Sequence, residues 1–112
     1  MFDASQTRTV SHELQHPDVA DVELPSLLHV LSDPVRLEIV RTLAELNECA
    51  CGAIELPVSK ATASHHFKVL RQAGVIVQHD IGTRRLSSLR REELEQRFPG
   101  LLESVLRAAT AS

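Results

Sequence analysis

The amino-acid sequence predicts a mainly α-helical domain that carries one small β-hairpin. Apolar residues recur at helical spacing in several segments, and Pro or Gly separates these segments. Two β-prone runs, "VIVQH" and "RRLSSL", flank the turn-forming "DIGT". The 112 residues are enough for one small domain with a thin core.

The first half of the chain predicts an N-terminal arm followed by helices. Residues 1–22 hold a Pro and no sustained period, so we expect a mobile or partly helical arm, with the domain spanning residues 23–109. Four leucines at helical spacing in "LPSLLHVLSD" predict a short first helix. Asp33 is a good N-cap and Pro34 suits the first helical position, so a second helix begins there.

The middle of the chain predicts a brief helix, a longer helix and then the hairpin. "ECACGAIELPV" (48–58) is expected to form the brief helix, which stops near Pro57. Ser59 can cap the longer helix, and Gly74 can end it. A last helical stretch covers about 91–109, with Pro99-Gly100 breaking or kinking it. A short helix, a turn, a longer helix and a hairpin make a winged helix-turn-helix, in the order α-α-α-α-β-β-α.

The charge distribution predicts an anionic partner, although the whole chain has a net charge of −3. Residues 1–33 carry six acids against Arg8 alone, whereas residues 59–91 carry seven Lys or Arg against Asp80 alone. A solvated basic surface would show the same excess, but so strong a segregation favours binding to an anion.

The helix that begins at residue 60 is the element that we expect to contact this anionic partner. Ala63, Phe67 and Leu70 form an apolar stripe, with His66 at its edge as a half-buried structural side chain. No acid occurs between Lys60 and Gly74, whereas a merely solvated amphipathic helix usually carries acids as well. Cations suit phosphates, short polar groups suit base edges, and a helix fits the major groove of DNA. The candidate contacts on its outward face are Lys60, Ser64, His65, Lys68, Arg71 and Gln72.

The hairpin adds Arg84 and Arg85 as candidate phosphate or minor-groove contacts. Cations that protect an edge strand from aggregation are the alternative explanation for these two residues.

Two segments resemble the ArsR-type winged helix-turn-helix repressors. "LSDPVRLEIVRTL" (31–43) resembles the opening signature of that family, and "SKATASHHFKVLRQAGVI" (59–76) resembles its recognition helix and the entry to its wing. The resemblance covers about residues 24–106 and implies a homodimeric repressor that binds a palindromic double-stranded DNA operator and that an effector releases. It also implies dimerisation through the first and last helices, and DNA contacts around Lys60, Thr62, Ser64, His65 and Lys68.

The apolar content of the last helical segment independently favours a dimer. Its large apolar residues exceed what so small a core can absorb, and a two-fold partner would cover them. These residues are Leu94, Phe98, Leu101, Leu102, Val105 and Leu106.

Cys49 and Cys51 are candidate residues for binding or sensing an effector. The pair resembles the C-x-C box of arsenite- and cadmium-sensing members, and thiolates suit soft metals. Gly52 and Ala53 replace the Asp and Leu of that box, no third Cys is present, and two thiols on one helix would diverge. His12 and His16 are further candidate ligands. Thiol oxidation, another effector, or buried thiols without a sensing role remain alternatives, so the metal stays unknown.

Other functions have weaker support in the sequence. A winged helix used only for protein interaction is the main alternative, and salt-insensitive DNA binding would distinguish it. An enzyme is disfavoured because the chain has no Gly-rich phosphate loop and no HExxH motif. The chain lacks an apolar run near 18 residues and a secretory signal, so we expect a cytoplasmic protein.

Overall fold

The structure, a computed structural model, describes residues 14–50 and 53–111. Its helices are α1 (Leu24–Leu31), α2 (Pro34–Leu46), α3 (Lys60–Gln72), α4 (Arg91–Arg97) and α5 (Leu101–Ala111). Its strands are β1 (Glu48–Ala50), β2 (Ile76–Ile81) and β3 (Arg84–Leu89), and a 3-10 turn covers Val19–Asp21. The prediction of a mainly helical fold with an antiparallel hairpin is confirmed.

Side-chain caps begin α2 and α3 where the sequence predicts. Asp33 Oδ1 accepts hydrogen bonds from the backbone N–H groups of Val35 at 2.8 Å and Arg36 at 3.1 Å. The hydrogen bond from the Arg36 backbone is the main reason that the pKa of Asp33 lies below its ordinary value. Ser59 Oγ accepts a hydrogen bond from the N–H of Thr62 at 3.2 Å.

Gly74 ends α3 in a Schellman arrangement. The N–H of Gly74 bonds to the carbonyl of Arg71, and the N–H of Val75 bonds to that of Leu70. Gly74 has a φ of +83°, and a Cβ added there would lie 2.8 Å from Val22 Cγ2. Both the backbone conformation and the crowding therefore require glycine at this position.

The hairpin of β2 and β3, which is the wing of this fold, forms as predicted, and β1 joins it as a third strand. Gly82 and Thr83 form a two-residue loop, with Ile81 paired to Arg84 and Gly82 at a φ of +62°. The sheet order is β1-β3-β2, and both pairings are antiparallel. β3 is therefore the central strand.

The predicted brief helix over residues 48–58 is wrong at its start. Glu48–Ala50 form β1, and residues 54–59 contain no α-helix. Asn47, at a φ of 67°, turns the chain out of α2, and the extended segment then pairs with β3 from Glu48↔Ser88 to Ala50↔Leu86. Pairing with an available strand edge satisfies backbone groups that a short isolated helix would leave open, and local sequence does not reveal that edge.

The last helical stretch divides as expected. Phe98 ends α4, and α5 begins at Leu101 after Pro99 and Gly100, which has a φ of +80°. Among the described residues, no helix has the length and apolar character needed to cross a bilayer.

One core joins the described elements, and it includes part of the segment that the sequence assigns to an arm. Val19 and Val22 are buried in the same cluster as Ile39, Leu43 and Leu70. The carbonyl of Val22 accepts hydrogen bonds from Arg97 Nε and Nη2, at 3.2 and 2.9 Å. Residues 19–22 thus pack as part of the domain, whereas residues 1–13 lie outside the described range, and the division between arm and domain stays a prediction.

Candidate nucleic-acid interface

The inner face of α3 anchors the helix to the rest of the domain. Phe67 and Leu70 are buried in the core, and His66 is 9% exposed. His66 Nδ1 lies 3.2 Å from Arg36 Nη1, and Arg36 Nε donates to the carbonyl of Val30 at 2.7 Å. Because a guanidinium can only donate, Nδ1 of His66 is the acceptor. His66 is therefore a structural residue, as the sequence predicts.

The outer face of α3 presents polar and cationic groups without a carboxylate. Six of the predicted contact residues on this helix are solvent-exposed, and the helix has no acid in its first turn and Arg71 in its last. The exposed residues are Lys60, Thr62, Ser64, His65, Lys68 and Gln72.

Arg71 departs from the predicted outward position. It is only partly exposed, and its Nη1 donates to Gln78 Oε1 on β2 at 2.9 Å. Its Nε is buried and has no hydrogen-bond partner among the described residues. A helical wheel places Arg71 beside the outward face, but the adjacent hairpin supplies a partner that draws the side chain toward the sheet.

The two wing arginines differ in their surroundings. Arg84 and Arg85 are both exposed. Arg85 forms a two-point ion pair with Asp80, with Nε–Oδ1 at 2.8 Å and Nη2–Oδ2 at 3.2 Å. No ion pair holds Arg84 in the described part of the chain, so Arg84 carries the uncompensated charge next to the loop.

Sequence reasoning missed a polar group beneath the wing. Gln78 is 2% exposed and Ser87 is fully buried, and Gln78 Nε2 donates to Ser87 Oγ at 3.0 Å. The signal in the sequence was Gln78 itself, because it lies two residues after Ile76 and so on the inward-facing side of a strand.

The structure describes one of the two cysteines. Cys49 lies on β1 opposite Ser87, is partly buried, and its Sγ donates to the carbonyl of Ala50 at 3.4 Å. Cys51 and His12 lie outside the described residues.

His16 Nε2 accepts a hydrogen bond from the N–H of Gln78 at 2.9 Å, so that nitrogen is occupied. Within residues 14–50 and 53–111, no cluster of three His, Cys, Asp or Glu side chains could hold a metal ion. The thiol hypothesis stays a prediction.

Comparison with known proteins assigns the chain to a family. A helix-turn-helix domain family matches residues 31–79, which include α2, β1, α3 and the start of β2. The uncharacterized HTH-type transcriptional regulator YceK of Bacillus subtilis is 37% identical over 82 residues, which cover 70% of this chain and 82% of that protein. The arsenical resistance operon repressor of Staphylococcus xylosus is 38% identical over 74 residues, covering 65% of this chain and 71% of the relative. The chain belongs to the ArsR family of winged helix-turn-helix transcriptional repressors.

Solved structures of transcriptional regulators share the fold. The transcriptional repressor BigR from Xylella fastidiosa superposes with a TM-score of 0.58 at 26% identity, covering 78% of this chain and 79% of that one. An ArsR-like regulator from Rhodococcus sp. RHA1 gives a TM-score of 0.57 at 21% identity and supports the fold alone. The ArsR family consists of regulators that bind DNA rather than of enzymes, and the predicted role of this chain as a DNA-binding transcriptional repressor is confirmed at that level.

Proposed function

We propose that this ArsR-type repressor binds a palindromic operator as a cytoplasmic homodimer and that an effector releases it. The observation that carries the proposal is the exposed face of α3, which has cations and short polar groups but no carboxylate and lies next to a cationic wing. Such a surface suits the phosphates and base edges of the major groove.

The contacts divide into two roles on this proposal. Lys60, Lys68 and Arg84 are exposed cations that suit phosphates, and their charges supply affinity for any duplex. Ser64 and His65 carry a hydroxyl and an imidazole that suit base edges, where sequence is read. Thr62, Gln72 and Arg85 complete the proposed contact surface, and Arg71 contributes its charge from beside that surface.

A salt series tests DNA binding directly. The affinity of the full chain for a duplex selected from a random pool is measured between low and physiological salt. Each phosphate that the protein neutralises contributes about −0.9 to the slope of log affinity against log salt. We expect a steep negative slope and a clear preference over a scrambled duplex. A flat slope would favour the alternative function, a winged helix used for protein interaction.

The homodimer is supported by an apolar surface that this protomer leaves uncovered. Leu24 and Leu28 on α1 are 42% and 44% exposed, and Leu101 and Val105 on α5 are only partly buried. The two helices adjoin, because Leu27 and Leu31 line a small cavity together with Leu101 and Leu102. A second copy related by a two-fold axis would bury this surface.

We propose that the effector is a metal, a metalloid or an oxidant that the two thiols sense, and the positions of the cysteines in the sequence make this testable. Release of DNA is measured with arsenite, cadmium, zinc, copper(I) and peroxide, for the natural chain and for Cys49→Ser/Cys51→Ser. Thiol sensing predicts that one of these agents releases the natural chain and leaves the double variant bound. Release that the double substitution leaves unchanged would contradict a role for the thiols.

A further inference from the structure

The junction between α3 and the wing is built around one buried amide. Gln78 accepts a hydrogen bond from Arg71 Nη1 on α3 and donates one to Ser87 Oγ on β3. Both ends of the amide are therefore used, and the two bonds join the last turn of α3 to both strands of the wing.

The backbone of Gln78 is held from the other side by the N-terminal segment. Its N–H donates to His16 Nε2, and the carbonyl of the neighbouring Pro17 accepts a hydrogen bond from Arg90 Nη1 at 2.8 Å. Val22 of the same segment packs against Gly74, where α3 ends. The N-terminal segment thus clamps the short connection that leads from α3 into β2.

Burying part of the Arg71 guanidinium without full hydrogen bonding costs free energy, so packing alone does not explain an arginine at this position. In the described part of the chain it pairs with no carboxylate, its Nε has no hydrogen-bond partner, and its one bond is to a neutral amide. Buried polar groups without partners are rare in folded proteins, and departures from this rule concentrate at functional sites.

We propose that Gln78 is a positioning residue for DNA binding, which fixes the orientation of the wing relative to the recognition helix through Arg71. The inference rests on the proposed function, because it assumes that both α3 and the wing contact one duplex. Residues 73–75 alone separate the two elements along the chain. When both elements are held in one orientation, the second contact follows the first without a further loss of rotational freedom.

Three single variants of the full chain test the role of the amide. Gln78→Leu keeps the approximate size and removes both side-chain hydrogen bonds. Gln78→Glu keeps an acceptor for Arg71. Gln96→Leu makes the same chemical change at an exposed position on α4 and is the matched control. The probes are a duplex selected from a random pool by the natural chain and a scrambled duplex of the same composition.

We expect Gln78→Leu to weaken binding to the selected duplex about tenfold or more, since small misplacements of contacting groups are expensive. Binding of Gln78→Leu to the scrambled duplex should fall by a smaller factor, because only the phosphate contact of Arg84 is lost there. The affinities of Gln78→Glu and Gln96→Leu should stay within about twofold of that of the natural chain. An equal loss on both duplexes, together with a lower melting temperature, would assign Gln78 to folding alone and overturn the inference.

A double-mutant cycle with Arg84→Ala separates positioning from a general loss. In the natural chain, Arg84→Ala should weaken binding to the selected duplex. In the Gln78→Leu variant the same substitution should have much less effect, because the wing of that variant no longer contacts the DNA. Additive losses would overturn the inference.

If Gln78→Leu does not fold, Arg71→Met removes the same hydrogen bond from the helix side and should lose the same selectivity. Full selectivity in Arg71→Met would also overturn the inference. Failure of the natural chain to prefer any duplex would instead overturn the proposed function.

Discussion

At the scale of single residues, the two adjacent histidines of α3 show how position separates roles. His65 is exposed, whereas His66 is buried and accepts a hydrogen bond from Arg36. The 100° between neighbouring residues of a helix is enough to place the His66 ring in the core and to leave the His65 ring in solvent, on the face proposed to contact DNA.

His65→Ala tests base recognition. We expect it to reduce the preference for a selected duplex over a scrambled one by about five- to tenfold, because a single hydrogen bond from an imidazole should reach only the low end of the about 1–3 kcal/mol that a bidentate base contact provides. Competition binding at fixed salt measures the preference. His29→Ala, at an exposed position of α1, is the matched control. Equal losses on the two duplexes would argue against base recognition.

Asp80 revises the sequence-based expectation for Arg85. The sequence alone predicts that Arg85→Ala weakens all DNA binding, but Arg85 is held by Asp80, the only acid in residues 59–91. We therefore expect Asp80→Asn to raise affinity for every duplex and to steepen the salt slope by up to about 0.9, the contribution of one additional phosphate contact. Filter binding at several salt concentrations measures both. An unchanged slope would show that Arg85 does not reach phosphate even when released.

At the scale of elements, the end of α3 depends on a glycine for two separable reasons. Gly74 has a positive φ and no room for a Cβ beside Val22, whereas Gly100 has a similar φ, +80°, and open space around it. Glycine is required at Gly74 by both causes and is favoured at Gly100 by conformation alone.

Gly74→Ala should therefore destabilise the fold more than Gly100→Ala. A left-handed conformation costs an alanine about 1–2 kcal/mol, which both variants share. Crowding against Val22 adds to this cost in Gly74→Ala alone, and we expect about 1–3 kcal/mol more because overpacking a core has that cost. Urea unfolding of both variants measures the difference. Equal losses would show that the Val22 side chain moves aside freely.

At the scale of the whole molecule, the charge is divided between regions of opposite sign. The chain is acidic in sum, yet residues 59–91, which include α3 and the wing, carry seven Lys or Arg against one acid, while residues 1–33 are strongly acidic. Local potential rather than net charge steers binding to a polyanion. A net charge of −3 is therefore compatible with DNA binding.

Leu28→Glu tests the proposed dimer. A charge placed on the uncovered face of α1 should yield monomers in sedimentation equilibrium and lower the affinity for a two-half-site duplex, because the half-sites would then bind independently. Leu46→Glu is the matched control, since Leu46 is 52% exposed at the end of α2. If the Leu28→Glu variant remained dimeric, the dimer interface would not include this face of α1.

The sequence by itself determined the elements whose signals are local. Asp33-Pro34, Ser59 and Gly74 mark the ends of α2 and α3, and the hairpin loop follows from Gly82. Helix caps and two-residue turns act through hydrogen bonds between neighbours in the chain, so a few letters suffice to locate them. The exposed cations of α3 follow from the same helical period.

Only the tertiary structure decided the strand at Glu48–Ala50, the inward turn of Arg71 and the ion pair that holds Arg85. Each depends on a partner that is distant in the chain or on a neighbouring strand: β3 for β1, Gln78 for Arg71, and Asp80 for Arg85. Pairing between elements overrides local preference because an available strand edge or amide satisfies polar groups that would otherwise lose their hydrogen bonds on burial.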